Sequence, residues 1–257
     1  MTMSLRLLFG LCASILSSTQ PTSVPTFRYD HGGIVRGDVT RKKLSLVFTG
    51  GSYAEGVPTI LKVCRERHIP AAFFVTGDFV RQHPDAVKAV LNASQFVGPH
   101  SDKHLLYCDW SDRSKTLVTE EQFKTDLRAN IDALKQVGAK ESTLFLPPFE
   151  WFNEDQVKWS RELGLTLINF TPGSGSNRDY IPEGEKGFVA SKQIADDILA
   201  YEQRDGHGLN GFILLLHTGS LRKDKMTEEL DRVIVDLQHR GYEFVPASGL
   251  VDTSTSR

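Results

Sequence analysis

The chain reads as an α/β protein with a parallel sheet covered by helices. Two observations predict it. Seven short apolar runs alternate with segments of helical periodicity, the pattern of repeated strand–helix units. After residue 26 no internal repeat, low-complexity tract or second linker interrupts that alternation, so one domain is the economical reading. An open doubly wound sheet and a closed or nearly closed barrel both satisfy the pattern.

Residues 1–19 read as a secretory signal peptide. Arg6 gives a short positive start, Leu7–Leu16 an apolar run too short to span a bilayer, and Ser17, Ser18 and Thr19 small residues for cleavage. Residues 20–41 read as a polar linker and lead-in, residues 42–250 as the domain, and residues 251–257 as a tail. No later segment has the length and apolarity of a membrane span.

The first strand is Leu44–Thr49, and a helix over Val57–Arg67 follows, with Pro58 at its start and Pro70 past its end. Ala71–Thr76 is the second strand, leading into one helix over Asp78–Leu91, and Gln95–Gly98 is the third. Thr119 with Gln122 forms a capping box for a helix striped by Phe123, Leu127, Ile131 and Leu134 and closed by Gly138. Ser142–Leu146 is the fourth strand, and Asn153 with Gln156 opens the next helix, stopped at Gly164. Leu165–Phe170 is the fifth strand, Ile194, Ile198 and Tyr201 mark a helix, and Phe212–Leu216 is the sixth. Leu230, Val233, Ile234 and Leu237 share one helix face before the last strand, Tyr242–Val245.

Composition excludes several functions. Lys plus Arg (30) nearly balance Asp plus Glu (32), a net charge of −2, which leaves no footprint for nucleic acid or an anionic membrane. The three cysteines form no CxxC, excluding a disulfide scaffold or zinc ribbon. Cys64 and Cys108 are free to pair in an oxidising compartment, although Cys64 falls on an apolar helix face as a core thiol does. The first strand runs into TGGSYAEG, which is not a dinucleotide-binding GxGxxG.

In parallel α/β architectures the site forms at the C-terminal ends of the strands. Thr49, Gly50 and Gly51 follow the first strand, and GPHSDKH, with His100 and His104, follows the third. On a helical turn that i,i+4 spacing puts both imidazoles on one face, where they can share a metal. LPPFEW follows the fourth strand, where Pro147-Pro148 rigidly aims Phe149, Glu150 and Trp151. Asn169, Thr171 and a Gly/Ser-rich loop ending in Asp179 and Tyr180 follow the fifth, and His217 ends the apolar run FILLL. Three histidines on the rim point to an enzyme.

These motifs, in this order over residues 42–250, resemble the polysaccharide deacetylase (NodB-homology) family of carbohydrate esterases. The ordered elements are IPAAFFVTGDFV, GPHSDKH, FLPPF, LLLH and RGYEFVPASGL. The resemblance implies a distorted (β/α)7 barrel and a divalent metal, most often zinc, held by an Asp with His100 and His104. It also implies His217 as general acid and a polysaccharide or oligosaccharide substrate. The family's Asp pair is Thr49-Gly50 here, and its base-orienting Arg is Leu146. One branch of the family has a histidine where this chain has Gly51. Replacement base or third ligand falls first to Glu150, then to Asp38, with Glu55 and Asp102 also within reach of the motifs.

Three functions follow. One is a secreted, metal-dependent hydrolase that removes acetyl groups from a polysaccharide. Another is a binding protein that holds glycans without cleaving them, with Thr49, Phe149, Trp151 and Tyr180 as substrate contacts. A third uses Glu150 and Asp179 as a carboxylate pair on a glycosidic bond.

Overall fold

The computed structural model describes residues 26–252; the signal-peptide reading of residues 1–19 lies outside them. The first described elements are strands. β1 (Arg28–Asp30) and β2 (Gly33–Arg36) form an antiparallel hairpin, turned by His31 and Gly32 with φ of 44° and 82°. Gly32 takes that left-handed conformation without steric cost. Gly33 is required for space, because a Cβ there would sit 2.7 Å from the Phe152 ring. Part of the lead-in over residues 20–41 is therefore a buried component of the fold. Its four-residue strand, opened by two glycines, is too short to show a period.

β3 (Lys43–Gly50) is the central strand. α1 (Val57–Arg67) follows with Pro58 in its first turn and stops at His68, which adopts φ 53°. β4 (Ala71–Val75) leads into α2 (Gly77–Gln82) and α3 (Pro84–Asn92), where the sequence pattern indicated one helix. Pro84 divides them: it has no N–H to continue the ladder and starts a new helix at its own N-terminus. β5 (Phe96–Pro99) precedes a long loop and α4 (Glu120–Gln136), opened by the Thr119–Gln122 capping box. β6 (Leu144–Phe145), α5 (Glu154–Glu162) with its Asn153–Gln156 capping box, β7 (Thr166–Leu167) and α6 (Ser191–Arg204) come next. β8 (Phe212–His217), α7 (Met226–His239), β9 (Glu243–Phe244) and α8 (Ala247–Leu250) complete the chain.

β3 is flanked by β4 and β8, both parallel to it, with β5 beyond β4 and β9 paired to the first residues of β3. The ring continues from β5 to the β6–β7 pair through Leu146 N–H to Pro99 C=O, and from β7 to β2 through the Ile34–Ile168 bridge. Thr171 then ties β2 to β8: its hydroxyl donates to Val35 C=O at 2.6 Å and accepts from Ile213 N–H at 2.9 Å. The fold is the distorted barrel implied by the motifs, with these single links in place of long ladders.

Strand parity places the site. Leu44, Leu46 and Phe48 of β3, Phe73 and Val75 of β4, and Leu214 and Leu216 of β8 pack outward against the helices. Val47, Ala72, Phe74, Ile213 and Leu215 fill the interior. With a period of two, Thr49 and His217 fall on the interior side. They are register partners at the C-terminal end of the ring. Cys64 and Cys108 are buried, free thiols and do not pair. Burial pushes Cys64 up to about 12 and Cys108 to about 11, leaving both inert at neutral pH.

Candidate active site

His217, Glu150, His100 and His104 line one cavity of about 600 Å³ at the C-terminal end of the strands, together with Thr49, Phe149 and Tyr180. Glu150 stands on the turn after β6. Phe149 and Glu150 have consecutive φ values of 59° and 52°, a strained conformation for residues with a Cβ. The turn is held by Glu150 N–H to Pro147 C=O at 3.1 Å and by Asn169 Nδ2 donating to Glu150 C=O at 2.7 Å. Burial pushes the Glu150 carboxyl up to about 7, opposed by the charge of His217 and reinforced by that of Asp179.

His217 ends β8. Asp179 accepts from its backbone N–H at 2.9 Å and from its Nδ1 at 2.7 Å. A carboxylate only accepts, so Nδ1 carries the proton and Nε2 faces the cavity. Burial pulls the imidazole down, but the charge and hydrogen bond of Asp179 and the charge of Glu150 more than offset it, so its pKa is raised. Asp179 is thus engaged by His217 and is not a free partner for Glu150 in a glycosidic carboxylate pair. The ring of Tyr180 lies 4.9 Å from that of His217.

The His100 and His104 rings meet at 5.2 Å, but the segment between them is not the helical turn the spacing suggested. It is a loop in which Ser101 and His104 adopt φ of 73° and 54°. Two side chains on one face of α4 shape it. Asn130 Oδ1 accepts from His100 N–H at 2.8 Å, and the Asp126 carboxylate accepts from Asp102 and Lys103 N–H, both at 3.0 Å. His100 Nδ1 donates to Leu146 C=O at 2.8 Å, leaving Nε2 as its lone-pair nitrogen. Burial and the neighbouring His104 and His217 hold His100 well below the usual imidazole range. Burial and His217 bring His104 down to about 4. Both are neutral at pH 7.

Several sequence candidates fall elsewhere. Asp38 precedes β3, at the opposite end from Thr49, and accepts from Thr40 N–H and Oγ1; it is neither base nor ligand here. Asp102 is turned onto Arg81 at 2.9 and 3.0 Å. Glu55 accepts from Ser220 N–H at 2.8 Å and Lys225 Nζ at 2.7 Å. Trp151 does not line the cavity. It lies behind Trp110, ring centroids 5.5 Å apart, with its indole N–H on Asp109 C=O and the Arg113 guanidinium 4.1 Å from its ring. Trp110, 57% exposed, is the lining residue. It sits in a loop whose course depends on packing, and no local signal marks it.

The two neutral imidazoles, one with its far nitrogen held by a backbone carbonyl, are arranged as metal-ligating histidines commonly are. The third donor is missing. Gly50 points outward, away from the cavity's interior face, and a Cβ there would lie 2.9 Å from Thr218 Oγ1 and 3.0 Å from the Phe79 ring. Among the described residues no group of three or more His, Cys, Asp or Glu side chains is arranged to hold a metal. Three protein ligands plus water is the usual catalytic zinc set, and these residues do not fit it.

Titratable side chains converge at the C-terminal end of a parallel α/β ring, where barrels of this kind build their active sites. The sequence matches the family model "Polysaccharide deacetylase" over residues 36–168, and the chain belongs to that family. It is 30% identical over 223 residues to an uncharacterised 30.6 kDa protein of Geobacillus stearothermophilus, covering 86% of this chain and 75% of that one. It is 28% identical to the peptidoglycan-N-acetylmuramic acid deacetylase PdaA of Bacillus subtilis, covering 81% and 71% respectively. Among solved structures, a CE4-family pseudoenzyme from Bacillus anthracis superposes with a TM-score of 0.69 at 20% identity, over 87% of this chain and 70% of that chain. That likeness shows the fold.

Proposed function

We propose that this protein is an exported hydrolase that removes acetyl groups from a saccharide, with Glu150 as general base and His217 as general acid. One observation carries the reading: a carboxyl poised near neutrality and an Asp-supported imidazole face the same cavity. That pairing divides acid and base roles between two groups. Ionised Glu150 takes a proton from the water that attacks the acyl carbonyl carbon. Protonated His217 donates from Nε2 to the departing sugar nitrogen or oxygen, and acetate leaves. Thr49, the register partner of His217, borders the same cavity and shapes the wall against which the substrate would sit. Export rests on Arg6 and the apolar run at residues 7–16. No step passes through a metal, because the donor set does not complete a site.

Acetate release from acetylated chito-oligosaccharides, peptidoglycan and acetylated xylan tests the reading, with and without added zinc. Release by the wild type and its loss in Glu150→Gln are expected. No acetate from any substrate in either condition overturns it.

A second reading, glycan binding without cleavage, is favoured by the Arg113–Trp151–Trp110 stack. That stack holds an exposed indole rigidly at the cavity mouth, as sugar-ring stacking requires. Calorimetric binding of oligosaccharides without acetate release supports this reading.

A further inference from the structure

The loop after β7 carries Asp179 and Tyr180, and the loop after β8 follows directly on His217, the last residue of that strand. A buried guanidinium joins the two loops. Arg222, 2% exposed, donates from Nη1 to the carbonyls of Arg178 (3.4 Å) and Ile181 (3.1 Å), the residues on either side of Asp179-Tyr180. Its Nη2 donates to Val189 C=O at 2.7 Å and Ser191 Oγ at 3.2 Å, and its Nε to Asp224 C=O at 3.1 Å. The Asp224 carboxylate pairs with the guanidinium and also accepts from Ser191 N–H at 2.7 Å. The Phe188 ring covers the cation at 4.6 Å. A second tie runs in the opposite sense: the exposed Glu183 carboxylate accepts from the N–H groups of Lys223 (3.0 Å) and Asp224 (2.9 Å).

We propose that Arg222 and Glu183 form a clasp between the two loops, and that Arg222 is a positioning residue that holds Asp179 on His217 and Tyr180 over the cavity. The catalytic meaning of the clasp rests on the reading of His217 as proton donor. A buried cation is costly unless its donors are satisfied. The planar fork of arginine spreads those donors over several carbonyls at once, which an ammonium cannot reproduce. Here two of the carbonyls flank the residue that orients the imidazole. Support of this kind keeps an acid–base pair in register.

His217 is faced by Asp179 and the Tyr180 ring from the loop after β7 and by Glu150 from the turn after β6. It also couples electrostatically to His100 and His104. Loosening Asp179 leaves burial to depress it, opposed by the charge of Glu150 alone.

The test is an NMR titration of the His217 ring in the full chain, comparing wild type with Arg222→Lys, Glu183→Ala and, as reference, Asp179→Asn. Circular dichroism checks that each is folded. The inference expects Arg222→Lys and Glu183→Ala to lower the proton affinity of His217 by about threefold or more, half a pH unit, in the direction of Asp179→Asn. An unchanged His217 titration in the folded variants overturns it, whatever happens to their melting temperatures. If Arg222→Lys does not fold, Glu183→Ala decides alone, by the same two outcomes. The readout needs no turnover, so a wild type that releases no acetate removes the hydrolase reading while this inference still stands or falls on the titration.

Discussion

Asp179 grips His217 twice, through the backbone N–H at 2.9 Å and the imidazole Nδ1 at 2.7 Å, so one carboxylate fixes both the strand end and the ring. The second contact decides the tautomer; the first prevents the carboxylate from following a rotated ring.

Asp179→Asn removes the charge and keeps the shape. Acetate release should fall by roughly 10²–10⁴, the usual contribution of a positioned acid or base. In the residual activity the alkaline limb of the pH–rate profile should move to lower pH, because His217 loses the partner that raises it. A limb that stays in place would mean that His217 is not the group titrating there.

Glu150 gives the opposite limb. Activity should rise through about pH 7 as the carboxyl ionises, and Glu150→Gln should cost roughly 10²–10⁴ in rate. The stability effect has a definite sign. A carboxyl raised in the folded state favours folding fully only below its unfolded value of 4.5, and that contribution fades as pH rises to about 7. Glu150→Gln should therefore melt close to wild type at pH 4.5 and a few degrees above it at pH 8. Thermal melts at the two pH values check this.

Gly50 and Gly51 should respond differently to the same addition. Gly50→Asp drives its Cβ against Thr218 Oγ1 and Phe79, an overpacking that should cost about 1–3 kcal/mol in denaturant unfolding. Gly51 lines the cavity, and a Cβ there meets nothing within 4 Å. Gly51→His should fold as wild type and bind zinc more tightly by calorimetry, since it adds a third imidazole beside His100 and His104. Equal zinc affinity in wild type and Gly51→His would show that residue 51 does not reach the pair.

Trp110→Ala should weaken oligosaccharide binding and raise KM while leaving kcat within about threefold, the signature of lost binding common to ground and transition states. Trp151→Ala should act in the same direction, because it removes the backing of Trp110. A kcat effect equal to the KM effect would place Trp110 at the reacting bond instead.

All seven strands of the alternation, and both capping boxes, were legible because they depend on neighbours a few residues apart. The convergence of His100, Glu150 and His217 followed from the rule that sites gather at strand ends. What sequence could not give depended on side-chain direction or on loops. Sequence ranks Asp38 directly behind Glu150 as a candidate; only the ring places one at the far end of β3 and the other in the cavity. Trp110 and Trp151 differ in which one stands in front. The loop between His100 and His104 is folded by Asn130 and Asp126, from a helix that starts well after it. The hairpin at residues 28–36 is too short to show a period.

The register pair Thr49–His217 has a consequence for how the molecule is made. β4 follows β3 closely in the chain, but the partner of the other edge, Phe212–His217, comes much later. Until β8 is in place, the apolar run Leu44–Phe48 presents unpaired backbone groups on that edge, a ready template for another chain. The site closes with nearly the last structured segment, so folding should be slow for a chain of this size. A C-terminal truncation ahead of residue 212 should yield an aggregating fragment rather than a smaller barrel.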